Sequence, residues 1–283
     1  MKYINSSIPT LFDNSTLKSY TNNKKYKCIG NGEAKLTLPN VQNTKLYVAF
    51  DLFYDTNYNY INCYPIQVYM SDGAYDKVIK STIQVYLDAS KKLIKFRNTS
   101  NDVFSASIYM NVWHRIYLVV DTVAGTVNFY LDGDKIGTYT DYVKTGVKAI
   151  SCKIASTFWS NYIPTMKNII ISDQYFPMNE TVIEVPATIT NNGFTFDSSG
   201  DSYGSEAENS TLKLQPDLSV LNGYKVTGCN VGMGTTVLGD TIKNIQCSMG
   251  NYSDTKEIPA NGYGMYFDEL PTNIKDITLT AKK

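Results

Sequence analysis

Histidine and arginine are almost missing from this chain of 283 residues: His114 is the sole histidine, and Arg97 and Arg115 are the only arginines. A Ser-His-Asp or Cys-His arrangement would therefore have to use His114. Scattered lysines with so little arginine give no basic stripe of the kind that tracks a nucleic acid, so no nucleic-acid partner is expected. Glutamate is also missing from the first part of the chain, where Glu33 is the only one before residue 180. Glycoside hydrolysis needs two carboxylates roughly 5–10 Å apart, and no Glu-x-Asp-x-Glu strand supplies them. The five cysteines, Cys28, Cys63, Cys152, Cys229 and Cys247, are odd in number and lack CxxC spacing. That indicates neither a disulfide framework nor a zinc site, and they read as reduced, mostly buried small hydrophobes.

Long apolar runs are missing too. Stretches such as 118–120 or 169–171 are far short of the ~18 residues that span a bilayer, so no membrane insertion is expected. The first seven residues turn polar without an apolar segment of about 7–15 residues, so no secretory signal peptide is predicted. Synthesis in a cytoplasm follows, with a leader replaced by Met1 as the open alternative.

What the chain does contain is alternation. Hydrophobic residues make up 43% of it, enough for packed cores, and they fall in short period-2 runs separated by Gly, Asn, Asp, Ser or Pro. This is the pattern of an all-β protein. In 112–137, His114, Ile116, Leu118 and Val120 share one parity, and Val127, Phe129 and Leu131 share one after the turn. Gly125 and Asp132-Gly133 supply the turns, so the two runs read as a β-hairpin. Further strands are predicted at 45–54, 66–70, 82–88, 93–97, 105–109, 149–155 and 167–172. Pro177 and a change in charge balance then mark a boundary near 178–182. Residues 1–178 hold 19 basic and 13 acidic residues, net +6, whereas 179–283 hold 7 and 13, net −6. The second part reads as a smaller immunoglobulin-like β-sandwich, with strands at 181–185, 193–196, 211–214, 223–229, 244–249 and 274–280.

The Trp113-His114 pair, the strand ending at Asp121, the Gly turn and the Tyr130-Leu131-Asp132-Gly133 segment resemble the diagnostic hairpin of laminin-G-like domains. These belong to the concanavalin A-like lectin and glucanase jelly rolls, and the resemblance covers roughly residues 20–178. It implies a jelly-roll domain over 1–178 and a structural role for His114 within the Trp-His pair; the boundary signals and strand spacing add a small sandwich domain at 179–283.

No catalytic residue, metal or cofactor is expected. Asp51, Asp55, Asp88, Asp121, Asp132 and Asp173 read as turn formers at strand ends. The acidic loop 197–201 with Glu206 and Glu208 has oxygen ligands for Ca²⁺ but not the spacing of an EF-hand, and reads as a solvated loop. Sugar sites combine an aromatic platform with Asn or Asp hydrogen bonders. Two loops offer that mixture: Tyr58, Asn59 and Tyr60 in one, Trp159, Asn161 and Tyr162 in the other. The resulting expectation is a non-enzymatic bacteriophage virion protein released by lysis: a tail or head fibre, a capsid decoration protein or a receptor-binding protein. Its expected partners are other virion proteins, further copies in a homotrimer or homodimer, and a host surface glycan. A bacterial surface adhesin or carbohydrate-binding module is the alternative.

Overall fold

A computed structural model describes residues 2–7, 18–22, 25–29, 33–37, 43–54, 63–69, 82–98, 101–140, 151–156, 165–183, 185–197, 202–205, 207–226, 229–232, 242–257, 264–267 and 276–283. The chain divides into two compact units, residues 1–182 and 183–283.

The described strands of the first unit are β1 (Lys2–Ser7), β2 (Lys18–Asn22), β3 (Lys25–Ile29), β4 (Glu33–Thr37), β5 (Lys45–Phe53), β6 (Cys63–Tyr69), β7 (Thr82–Asp88), β8 (Leu93–Asn98), β9 (Asn101–Ser107), β10 (Trp113–Asp121), β11 (Thr126–Leu131), β12 (Asp134–Tyr139), β13 (Ser151–Ser156) and β14 (Thr165–Ser172). Twelve of them build two six-stranded sheets, ordered β1-β14-β5-β10-β11-β12 and β4-β13-β6-β7-β8-β9, and β2-β3 form a separate pair. All pairings within these sheets are antiparallel.

The alternation read from the sequence decides which faces meet. Val48, Phe50, Leu52, Ile116, Leu118, Val120, Val127 and Phe129 are buried on the first sheet, and Val85, Leu87, Ile94 and Phe96 on the second. Phe96 and Phe129 stack across the gap with ring centroids 6.1 Å apart. Each such side chain contributes roughly 1.5–3 kcal/mol through removal from water. One open side of the sandwich is closed by contacts between the edge strands β9 and β12. Phe104 lies where a Cβ on Gly137 would stand, at 2.6–2.8 Å, and the Asn98 amide donates to the Tyr139 hydroxyl at 2.8 Å.

The outer face of the first sheet carries a strap, residues 174–182. Phe176 is buried against Ala49, Tyr117 and Ile170, and the Tyr117 hydroxyl donates to the Phe176 carbonyl at 2.8 Å. Burial pushes the Tyr117 phenol far above its usual range, reinforced by Tyr175, Tyr47, Tyr130 and Glu180 around it. Arg115 projects from β10 toward the strap. Its guanidinium donates to Asp51 Oδ1 (3.0 Å) and to the carbonyls of Asn168 (2.9 Å), Met178 (3.1 Å) and Glu180 (2.7 Å). The Asn168 amide also donates to Asp51, and Val182 N–H donates to Asn168 Oδ1 at 3.3 Å. The sequence reading of Asp51 as a turn former is therefore corrected: it is an interior strand residue paired with a largely buried arginine. Because Glu180 and Val182 bond back to β10 and β14, the first unit extends to residue 182. The strand predicted at 181–185 is not formed by its described residues.

The second unit contains β15 (Ala187–Asn192), β16 (Thr195–Asp197), β17 (Ser202–Gly204), β18 (Thr211–Pro216), a 3-10 turn (Leu218–Leu221), β19 (Cys229–Gly232), β20 (Asn244–Met249), β21 (Tyr252–Glu257), β22 (Gly264–Phe267) and β23 (Ile277–Lys282). A five-stranded sheet runs β15-β18-β23-β20-β21, and β16-β17 and β19-β22 form separate pairs. Leu212, Ile245, Cys247, Met249 and Leu279 form the core on one face of the sheet, with Phe194, Leu214 and Val231 packed against them. Val231 comes from β19, so the β19-β22 pair supplies the second layer of a small sandwich. Cys247 is reduced and buried, as expected from the sequence. The fold is all-β, a larger sandwich followed by a smaller one.

Candidate functional site

The strand order gathers several connections at one end of the first sandwich. Phe53 ends β5, and it stands opposite Trp113, the start of β10, and Thr165, the start of β14. On the other sheet Cys63 begins β6 beside Ser156, the end of β13, and opposite Leu87 near the end of β7. The chain thus leaves the first sheet at Phe53 and re-enters it at Thr165, next to one another, while Cys63 and Ser156 are neighbours on the second. The sequence-predicted residues Tyr58, Asn59, Tyr60, Trp159, Asn161 and Tyr162 lie between these strand ends and outside the described residues. Two further connections reach the same end. Ile108 N–H donates to the Lys92 carbonyl at 3.0 Å, and Asn111 N–H to the Tyr54 carbonyl at 2.9 Å.

At the centre of this end is His114. Asp132 (φ 53°) and Gly133 (φ 94°) form the two-residue turn between β11 and β12, and positive φ at both positions is what a type I′ hairpin turn requires. The short acidic side chain tolerates that conformation and folds back over the end of β10. Its Oδ1 accepts Arg115 N–H at 2.7 Å, and its Oδ2 lies 2.6 Å from His114 Nδ1. Nε2 lies 3.0 Å from the Tyr109 backbone nitrogen and 2.9 Å from the Tyr109 carbonyl oxygen, so in either tautomer both ring nitrogens face a hydrogen-bond partner. The imidazole is buried, at 5% exposure, whereas Tyr109 is 77% exposed. The two rings are nearly parallel, at 18° with centroids 6.5 Å apart, an offset-stacked arrangement. The connection, tied at Ile108 and Asn111, thus presents a phenol ring to solvent on a fixed base.

Beside it, Trp113 packs against Phe53 at 5.3 Å and holds the Lys167 ammonium 4.1 Å above its ring, a cation–π contact. Turn 89–92 at this end is tied to Asp88, which accepts from Ser90 Oγ (2.9 Å) and Lys91 N–H (3.3 Å). Burial opposes ionisation of Asp88, but hydrogen bonds from Lys95, Ser90 and Lys91 outweigh it and hold the carboxyl below the usual range. Lys95 also contacts Asp102 at 2.9 Å. Its hydrogen bonds to both carboxylates, Asp102 first, raise the pKa of its ammonium, although burial works against them.

The arrangement offers an aromatic face, fixed backbone groups and an ammonium. Both nitrogens of His114 are occupied, and no described hydroxyl or thiol is bonded to it. Among the described residues no group of three His, Cys, Asp or Glu is placed to hold a metal. In the acidic stretch read as a Ca²⁺ candidate, Glu208 is paired with Lys283 at 3.0 Å. Sequence reasoning missed Tyr109 because it lies at the end of a predicted strand, where burial was the natural assumption. Its proximity to a histidine was the available signal.

No protein-family model matches the chain, and no curated protein matches it. Solved structures similar to it include a carbohydrate-binding module, CBM66, from Bacillus subtilis, at 13% identity over 59% of this chain and 98% of that one, with a TM-score of 0.41. A Trypanosoma rangeli sialidase in complex with 2,3-difluorosialic acid is 9% identical over 63% of this chain and 31% of the sialidase, with a TM-score of 0.47. A heptameric pentraxin from Limulus polyphemus is 16% identical over 56% and 75%, with a TM-score of 0.38. None of these similarities assigns the chain to a family.

Proposed function

We propose that the protein is a non-enzymatic glycan-binding protein whose binding surface is the end of the first sandwich at Tyr109 and Trp113. The observation that carries this reading is the exposed Tyr109 ring resting on a buried, doubly hydrogen-bonded His114. A ring held without loss of further side-chain freedom stacks on the apolar face of a sugar at low entropic cost. The convergence of Phe53, Thr165, Cys63 and Ser156 supports including Tyr58, Asn59, Tyr60, Trp159, Asn161 and Tyr162 in the same surface. The occupied nitrogens of His114 and the missing glutamate pair support the non-enzymatic part.

A glycan array with the wild type, Tyr109→Ala, Tyr60→Ala and Trp159→Ala tests it. Binding that weakens about tenfold in Tyr109→Ala and in at least one loop variant is expected, which corresponds to roughly 1.4 kcal/mol. An array with no bound glycan, or binding unchanged in all three variants, overturns the proposal. The setting we propose is a bacteriophage virion, as a fibre, decoration or receptor-binding protein with other virion proteins as partners. The all-β architecture and the Tyr- and Asn-rich strands support it, and neighbouring capsid and tail genes would bear it out. Neighbouring secretion genes would favour a bacterial surface adhesin or carbohydrate-binding module.

A further inference from the structure

Among the described residues, the edge strands of the three large sheets differ in one respect. A free edge is a template for pairing with another chain, and charged residues are a common means of blocking it. Lys2 lies on β1, Asp134 and Lys135 on β12, Glu33 and Lys35 on β4, Asp102 on β9, and Asp254, Lys256 and Glu257 on β21. The sixth edge strand, β15 in the second unit, reads Ala-Thr-Ile-Thr-Asn-Asn, with no charge, and all six residues are exposed.

Its geometry is favourable for pairing with itself. The Pro186 carbonyl accepts Asp217 N–H at 2.8 Å, so residue 186 points its backbone groups toward the β18 side. By strand alternation residue 188 does the same, and Ala187 and Ile189 turn their N–H and C=O groups away from the sheet. The register breaks only after Ile189. On the apolar side, Ile189 stands opposite Leu214, which packs on the core, yet Ile189 itself is 40% exposed. The apolar layer therefore ends unfinished at this edge.

We infer that β15 is a homodimer interface, in which two copies pair antiparallel about a two-fold axis through Thr188. Ala187 of one copy faces Ile189 of the other in two equivalent hydrogen-bonded pairs, giving four backbone hydrogen bonds. Thr188 faces its own counterpart in a non-hydrogen-bonded pair. Because the axis is perpendicular to the sheet, both apolar faces lie on the same side, and Ile189 and Ala187 of the two copies extend the layer begun by Leu212 and Leu214. The occupant is a second copy because the strand carries no charge to repel its own image, and the register sets Ala187 and Ile189 of one copy against Ile189 and Ala187 of the other on one face.

Sedimentation equilibrium of the full chain, as wild type, Thr188→Lys and Ala187→Pro, tests the interface. Lysine places two like charges opposite each other at the axis, and proline removes an outward donor while leaving the β18 side alone. The expected result is a wild-type dimer and a dissociation constant raised at least about tenfold in each variant, with circular dichroism unchanged. Thr188→Cys supplies a gain-of-signal test, since non-hydrogen-bonded partners about 4.5 Å apart at Cα are within disulfide reach. Mild oxidation should produce a covalent dimer absent from the wild type, whose native cysteines serve as the control. A monomeric wild type, a dimer insensitive to both substitutions, or no crosslink above the control overturns the inference. An oligomer that persists in Thr188→Lys would point to another surface.

Discussion

Removing the Arg115 side chain should release the strap from the first sheet. Its guanidinium, 17% exposed, satisfies Asp51, itself 15% exposed, and three backbone carbonyls. Breaking a largely buried, hydrogen-bonded charge pair by removing one partner costs about 3–5 kcal/mol, and that range is expected for Arg115→Ala. Phe176 is 2% exposed, and Phe176→Ala should cost about 3–5 kcal/mol through lost burial and the cavity left behind. Both side chains hold the same segment, so once one is gone the other has less to hold. The double variant should cost about 1–3 kcal/mol less than the two single losses combined. Both tryptophans, Trp113 and Trp159, lie in the first unit, so urea unfolding followed by tryptophan fluorescence reports on that unit alone. With a slope of about 2 kcal/mol per molar urea, each single substitution should lower the midpoint by roughly 1.5–2.5 M. A loss below about 1 kcal/mol for Arg115→Ala, or additivity within about 0.5 kcal/mol, would refute the cooperative strap.

Gly137→Ala should destabilise the first unit by about 1–3 kcal/mol, because its Cβ would overlap the Phe104 ring between the two edge strands; the same urea assay measures it, and a neutral result would mean that the ring moves freely. Asp132→Ala should cost about 1–3 kcal/mol by leaving the Arg115 N–H and His114 Nδ1 unpaired, and should weaken glycan binding although Tyr109 is intact; undiminished affinity would separate Tyr109 from its histidine base. Acid should destabilise the first unit. Burial opposes ionisation of Asp121, but the Ala124 N–H and Lys45 outweigh it and lower its pKa, and Asp88 is lowered likewise. Lowered carboxyl groups contribute stability above the unfolded aspartate value of about 3.9, and that contribution is lost as pH falls through their folded values. Urea midpoints should therefore be flat near neutrality and decline below about pH 4, less steeply in Asp88→Asn; an identical acid limb in that variant would exclude Asp88 as a contributor.

The hairpin of β10 and β11 was legible because one face of each strand is buried, which writes period two into Ile116, Leu118, Val120, Val127 and Phe129. Asp121 was also legible as a turn former, since its carboxylate accepts the N–H groups of Val123 and Ala124. Where burial does not alternate, the pattern fails. Strand β12 is a half-exposed edge and β15 is exposed on both faces, so neither leaves a period in the sequence. The segment predicted as a strand at 223–229 starts at Gly223, whose φ of 85° turns the chain, and of its described residues only Cys229, the first of β19, is paired. The strap makes side-chain and backbone bonds without a ladder, which period counting does not detect. Its trace in the sequence was a rare arginine on the outward parity of a strand, opposite Asp51 in the neighbouring one. At the candidate site, the hydrogen-bonding role of His114 was legible from the Trp-His hairpin. The placement of Tyr109 on it depends on a turn through Asn111 at φ 61°, for which the sequence carries only weak signals.

The strap also bears on what happens under tension. Residues 174–182 are the only covalent path from β14 into the second unit, so a pull transmitted along that path meets the Glu180 and Met178 carbonyls on Arg115 and then the seated Phe176 before it reaches the end of β14. Arg115 belongs to β10, which is bonded on both sides within its sheet. Force is therefore shared with interior strands before it can peel β14 from its end, and the segment behaves as a strain relief, like the knot tied in a cable inside its housing.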